Sequence, residues 1–137
     1  MQFLGQAIGR FLLAFIFLFS GVRKVMGYQA TLGYMQSKGV FPAMDVAGYP
    51  LIEVLLMATI AVEIAGGLML ITGIGSRFAA LALAAFTIVA GVLFHDFWTI
   101  ADAAQYGNQL NHFLKNLAIA GGLLIVASQL SRDELLT

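Results

Sequence analysis

Four long stretches of apolar residues divide this chain, and most of its polar residues lie between them. The stretches cover about residues 3–26, 51–74, 78–95 and 113–130. Each is close to the roughly 17–25 residues that a helix needs to cross about 30 Å of hydrocarbon. The polar–apolar alternation of strands is absent, and a backbone in lipid must satisfy its own hydrogen bonds. The pattern therefore predicts an all-α integral membrane protein, a four-helix bundle.

The connections between the stretches predict how the helices are arranged. A tight turn at 73–77 makes the second and third helices antiparallel neighbours. We name the membrane surface at this turn side A; an even number of spans places both chain ends there too. The connections 27–50 and 95–112 then lie on the opposite surface, side B, and Gln29–Ser37 is predicted to be a short interfacial helix. Residues 1–137 are thus expected to form a single membrane domain.

The composition agrees with a membrane protein and excludes several kinds of chemistry. The chain is 61% hydrophobic and 10% charged, whereas soluble domains carry about 25% charged residues. Seven basic residues balance seven acidic ones, so a nucleic-acid partner is not expected. There is no cysteine, which excludes thiol chemistry in this chain. The two histidines and the carboxylates fit no known ligand spacing, so no metal site is predicted.

Small residues recur four positions apart in three of the predicted helices, and such pairs let helix backbones approach closely. The pairs are Gly5 with Gly9, Ala61 with Ala65, and Ala118 with Gly122. They predict a closely packed bundle, and with it a homo-oligomer whose number of copies the sequence leaves open.

Ionisable residues inside the apolar stretches are expected to be paired or to line a cavity, since each costs roughly 2.5–3.5 kcal/mol or more in lipid. Arg10 and Lys24 are fourteen residues apart, which places them on nearly the same face of the first helix. One antiparallel register lets Arg10 face Glu63 while Lys24 faces Glu53. The sequence therefore predicts an intramembrane ion pair between Arg10 and Glu63, whose simplest role is to fix which helices are neighbours.

Polar residues near side B form the candidate ligand-binding set. They are Lys24, Glu53, His95, Lys115 and Asn116, with Trp98 among the aromatic residues of the side-B connections. A carboxylate, an imidazole, ammonium groups and an amide together can bind and protonate a quinone headgroup. The alternative is that these residues only cap helices and reach towards the interface, with the aromatic residues as a membrane anchor.

Short motifs in order along nearly the whole chain carry a family resemblance. They are Gly9-Arg10, Gly21-x-x-Lys24, Tyr34–Gly39, Glu63 with Gly66-Gly67, Gly73-x-x-x-Arg77 and Phe113-x-Lys115-Asn116. In these motifs the chain resembles the DoxX family of small bacterial four-helix membrane proteins. The resemblance implies a bacterial inner-membrane bundle with both termini in the cytoplasm. The distribution of Lys and Arg between the two sides slightly favours the opposite orientation.

The resemblance also implies a function. The family includes a membrane subunit of an archaeal thiosulfate:quinone oxidoreductase and a mycobacterial protein that acts with redox partners against oxidative stress. The implied function is a redox-linked accessory subunit that binds quinone or a similar lipid between its helices and works with a redox protein partner.

Two other functions fit the same sequence. A noncatalytic scaffold or assembly factor would have fully paired charges and no cavity. A conduit for a small solute or protons would have a polar path across the bundle. An enzyme acting on its own is not expected, because the chain has no recognisable nucleophile motif or phosphate-binding loop.

Overall fold

Five α-helices make up most of the structure, a computed structural model that describes residues 2–129. They are α1 (Gln2–Met26), α2 (Tyr28–Ser37), α3 (Leu51–Thr72), α4 (Ser76–Phe94) and α5 (Ala103–Ser128). All except α2 are long and apolar enough to cross a membrane. The predicted all-α membrane bundle is therefore confirmed. Residue 1 and residues 130–137, including the predicted end of the fourth span, lie outside the described part.

The last helix begins at Ala103, ten residues before the predicted start of the fourth span at Phe113. Asp102 caps the helix, because its side chain accepts a hydrogen bond of 2.9 Å from the backbone N–H of Gln105. The polar residues between 103 and 112 led the sequence analysis to place them in a connection, whereas the cap determines where the helix itself begins.

The first side-B connection contains the predicted short helix and a small hairpin that the sequence did not predict. Helix α2 follows α1 directly after Gly27. The strands β1 (Asp45–Val46) and β2 (Tyr49–Pro50) pair antiparallel. Two residues with positive φ angles, Ala47 and Gly48, form the turn, as two-residue hairpins require. Strands of two residues are too short to leave an alternating pattern in the sequence.

The four long helices pack in the order α1, α3, α4, α5, and a thinner contact between α5 and α1 closes the bundle. The side-A half has a continuous apolar core, which includes Ala14, Leu70, Ala80, Leu83 and Leu123. In the side-B half a separate apolar cluster joins Leu32 and Met35 of α2 to Leu56 of α3. The helix α2 is thus part of the bundle and covers the first turns of α3.

The closest approaches between helices occur at glycines outside the predicted small-residue pairs, while a Cβ added at Gly122 of the third pair would make an ordinary contact of 3.4 Å with Leu13. A Cβ added at Gly67 would lie 2.7 Å from Leu18 Cγ, and one at Gly66 would lie 2.9 Å from Leu83. By contrast, Gly5 and Gly9 have nothing within 4 Å of such a Cβ. Spacing alone therefore identified one glycine that faces a neighbouring helix, Gly122, together with two that do not, Gly5 and Gly9.

Candidate functional site

A pocket of about 270 Å³ lies in the side-B half of the bundle, and all five helices contribute to its wall. One part of the wall is aromatic: Tyr34, Phe86 and Phe94. The polar part consists of Ser20, Lys24, Thr31, Thr59, Glu63, His95 and Asn116. Hydrogen-bonding groups and aromatic rings therefore line the same pocket.

A closed ionic network occupies the deep end of this wall. Lys24 Nζ lies 2.9 Å from both carboxylate oxygens of Glu63. Ser20 joins the two, since its hydroxyl donates to Glu63 over 3.0 Å and accepts from Lys24 over 2.6 Å. Glu63 is only 3% exposed, in the middle part of α3. The two opposite charges therefore neutralise each other at a depth where neither could be left unpaired.

The pairing of Lys24 with Glu63 corrects the predicted ion pair of Arg10 with Glu63. The guanidinium of Arg10 lies beside Gly73 instead, where an added Cβ would be 3.1 Å from Nη1. Glu63 and Gly73 are ten residues apart, which is about 15 Å along a helix axis. The structure therefore does not bring Arg10 and Glu63 together. It does place both Arg10 and Lys24 on the face of α1 that contacts α3, as their spacing predicted.

The position of Arg10 has its own physical reason. Gly73 is the C-cap of α3 and has a left-handed conformation. The C-terminal end of a helix carries a partial negative charge, which favours a cation beside it. The C-terminal end of α3 is therefore a stabilising neighbour of Arg10 at side A, and within residues 2–129 Arg10 has no carboxylate partner.

The predicted register was wrong because α3 extends further towards side B than α1 does. Its first turns pack against α2, and Leu56 of α3 contacts Leu32 and Met35 there. Lys24, close to the end of α1, is therefore level with Glu63 and not with Glu53. The predicted contact between Lys24 and Glu53 is lost for the same reason.

His95, at the mouth of the pocket, is held by two residues of α5. Its Nδ1 lies 2.8 Å from Oε1 of Gln109, and its ring stacks on that of His112 with 5.0 Å between centroids. Close contact between α4 and α5 brings Asn116 alongside, since a Cβ added at Gly91 would lie 3.3 Å from Asn116 Nδ2. The imidazole and the amide thus face the same pocket from two helices.

Sequence reasoning missed Gln109 as a site residue because it placed residues 103–112 in a connection. The spacing of these residues contained a signal. Successive members are three or four positions apart, which places them on one face of a helix: Gln109, His112 or Phe113, and Asn116.

Half of the predicted ligand-binding set lies in the pocket. The structure brings Lys24, His95 and Asn116 together there. Glu53, in the first turn of α3, lies outside the pocket, and Glu63 supplies the carboxylate instead. Lys115 is exposed on α5, because consecutive residues of a helix point about 100° apart and Asn116 faces inwards.

Trp98, also predicted to bind the ligand, packs against Phe97 and Phe113 and is 53% exposed. It lies outside the pocket wall, in a position that suits an interfacial anchor.

Helix α2 covers the side-B face of the pocket. Thr31, Tyr34 and Met35 line the wall from above. The ring of Tyr34 stacks on Phe94 at 5.8 Å, and Lys38 forms an ion pair of 2.7 Å with Asp96. These two contacts hold α2 against the end of α4, so that α2 acts as a cover attached at Gly27 and at Lys38.

A second pocket, of about 420 Å³, lies between α2 and the hairpin loop. Its polar side chains are Gln36 and Asp45, and it contains neither an imidazole nor a basic group. In residues 2–129 no cluster of three or more His, Asp or Glu side chains could hold a metal ion. The candidate site is therefore the pocket beside Lys24 and Glu63.

Comparison with known proteins assigns the family. The sequence model of the DoxX family matches residues 5–96, which include Lys24, Glu63 and His95. The chain belongs to the DoxX family. This DoxX-family chain is 35% identical to the inner membrane protein YqjF of Escherichia coli K12, across 93% of the chain and 85% of YqjF.

A second relative from the same organism, the inner membrane protein YphA, is 28% identical across 88% of the chain and 79% of its own length. No solved structure matches the chain. With its four membrane-spanning helices, the chain is an integral membrane protein of the DoxX family.

Proposed function

We propose that this DoxX-family protein binds the headgroup of a quinone-class molecule in the pocket between its helices, as the membrane subunit of a redox system. The observation that supports this proposal most is the pocket itself, about 270 Å³ bounded by aromatic rings and hydrogen-bonding groups. The interiors of proteins are closely packed, so an opening that combines aromatic rings with an imidazole, an amide and an ion pair favours a ligand over a purely structural bundle.

The charges of the wall favour a neutral ligand. Lys24 and Glu63 neutralise each other at 2.9 Å, and Ser20 is bound to both. An anionic or cationic headgroup would have to displace one member of this network. A quinone-class ring is uncharged, carries oxygen atoms at its edge, and can form hydrogen bonds with His95 and Asn116.

The size and the aromatic residues of the pocket also suit a ring. Its volume is just below the roughly 300–1,000 Å³ of pockets that enclose drug-sized ligands. It therefore has room for a headgroup, while an isoprenoid tail would remain among the apolar side chains and the lipid. Tyr34, Phe86 and Phe94 offer ring faces and edges against which a quinone-class ring can pack.

The electrons come, in this proposal, from a redox protein partner. Conversion of a quinone to a quinol consumes two electrons and two protons, and this chain has no cysteine that could supply electrons. Its own part is to bind and orient the ring. We further propose an inner-membrane location with both termini in the cytoplasm and an assembly of several copies. Reporter proteins fused to the C-terminus test the orientation, and the mass of the purified complex tests the assembly.

Mass spectrometry of organic extracts from the gently purified protein tests the ligand. The Asn116→Leu variant alters the pocket wall, while Lys115→Leu alters the neighbouring exposed position and is the matched control. We expect a quinone-class molecule to co-purify with the parent and the control and to be lost from Asn116→Leu. An extract of the parent that equals bulk membrane lipid would reject the proposal and favour the scaffold.

A further inference from the structure

The hydrogen bond between His95 and Gln109 bears on which ring nitrogen of His95 carries the proton. Nδ1 lies 2.8 Å from the side-chain oxygen of Gln109. An amide oxygen only accepts, so this contact is a hydrogen bond in the tautomer that carries the proton on Nδ1. A neutral imidazole protonated at Nδ1 has its lone pair on Nε2.

The second nitrogen of His95 is available to a ligand. Among residues 2–129 no side chain or backbone group forms a hydrogen bond with His95 Nε2. His95 belongs to the wall of the pocket, and stacking on His112 fixes the plane of its ring. The other ionisable groups of the wall, Lys24 and Glu63, are already bonded to each other. The imidazole therefore presents an acceptor to the ligand.

We propose that Gln109 is a positioning residue that holds His95 in the Nδ1–H form, so that the pocket selects the reduced, hydroxyl-bearing form of its ligand. This inference rests on the proposed function for the class of ligand. A quinol hydroxyl donates to the lone pair of Nε2. A quinone carbonyl oxygen has no proton to donate. It would face the lone pair of Nε2 with a lone pair of its own, so that neither acceptor would receive a hydrogen bond. The loss of one hydrogen bond with an unsatisfied acceptor corresponds to about a tenfold or larger preference for the quinol.

Nitrogen-15 NMR of histidine-labelled full-length protein tests the tautomer without any ligand. The chain has two histidines, and His112→Phe, which keeps a stacked ring, assigns the signal of His95. We expect Nδ1 of His95 to be protonated in the parent and in Gln105→Leu, a control one turn earlier on α5. Gln109→Leu should lose this preference. A parent in which Nε2 carries the proton would overturn the inference.

Affinities of a short-chain quinol and of its matching quinone, measured in detergent under anaerobic and mildly alkaline conditions, test the selectivity. We expect the parent and Gln105→Leu to bind the quinol about tenfold or more tightly than the quinone. In Gln109→Leu the ratio should fall towards one. An equal or reversed preference in the parent, or a ratio that Gln109→Leu leaves unchanged, would refute the inference.

The two failures are distinguishable. If neither molecule binds, the proposed function fails and the selectivity fails with it. If both molecules bind and the quinone is preferred, the proposed function stands and only the role of Gln109 is rejected.

Discussion

Substitution of Lys24 by Met should destabilise the protein strongly, because it leaves the carboxylate of Glu63 without its cation. Glu63 is 3% exposed and receives two contacts of 2.9 Å from Lys24 Nζ, so the variant leaves a buried carboxylate whose remaining side-chain partner within residues 2–129 is the hydroxyl of Ser20. Hydrogen bonds to charged groups contribute about 1.5–3 kcal/mol each, and breaking one side of a buried pair costs about 3–5 kcal/mol. We therefore expect Lys24→Met to lower the free energy of unfolding by about 3–5 kcal/mol.

Replacing the other partner, Glu63, by Leu should lower the stability less than Lys24→Met does. The same holds for the variant that carries both substitutions. After Glu63→Leu, Lys24 lies near the end of α1 with a side chain that is 23% exposed, so it can extend towards side B. In Lys24→Met with Glu63→Leu no unpaired charge remains, and the stability should return to within about 2 kcal/mol of the parent. The double variant should therefore be clearly more stable than the sum of the two single effects predicts.

Unfolding in mixed micelles, with increasing SDS and detection by far-ultraviolet circular dichroism, measures these differences. Arg23→Met is the matched control, because Arg23 is exposed and its guanidinium carbon lies 5.9 Å from the centre of the Phe19 ring. We expect the control to change the stability by about 1 kcal/mol or less. A Lys24→Met variant as stable as this control, or a double variant no better than Lys24→Met, would refute the reasoning.

Three further predictions concern packing, the cover and the start of α5. Gly67→Ala should cost about 1–3 kcal/mol, because the new Cβ would lie 2.7 Å from a leucine of α1; Gly121→Ala, with nothing within 4 Å, should cost nothing in the same SDS titration. Lys38→Ala breaks the ion pair with Asp96. Amide hydrogen exchange across α2 should then accelerate, while the free energy of unfolding falls by about 1 kcal/mol or less. Unchanged exchange would show that the ion pair does not hold α2 over the pocket. Asp102→Ala removes the cap of α5, so the amides of the first turn should exchange faster and the free energy of unfolding should fall by about 1 kcal/mol. Exchange equal to that of the parent would contradict the capping role.

The candidate site could be predicted from the sequence in part. The need to satisfy charges in lipid identified Lys24 and Glu63 as important, and helical periodicity placed Lys24 and Arg10 on one face. His95 directly follows α4, as predicted, whereas Asn116 lies near the middle of α5 and not at its start; both lie in the pocket wall. Whether they bind a ligand there remains a prediction.

The missing parts of the site depend on boundaries that polarity does not define. Gln109 was placed in a connection, because a helix that leaves the membrane becomes polar without ending. Lys115 and Trp98 were grouped with the site by their position along the chain. Their side chains point away from the pocket, and that direction follows from the rotation of α5 and from the path of the 3₁₀ turn Phe97–Thr99.

The sequence by itself determined the number of spans, the antiparallel pairing at the turn after α3, and the face of α1 that meets α3. Each of these follows from local quantities: the length of an apolar run, the length of a connection, and 100° per residue. Only the tertiary structure decided which carboxylate Lys24 binds. The connection of residues 27–50 is long enough to permit several registers, and the packing of α2 against the first turns of α3 selects the one in which Lys24 meets Glu63.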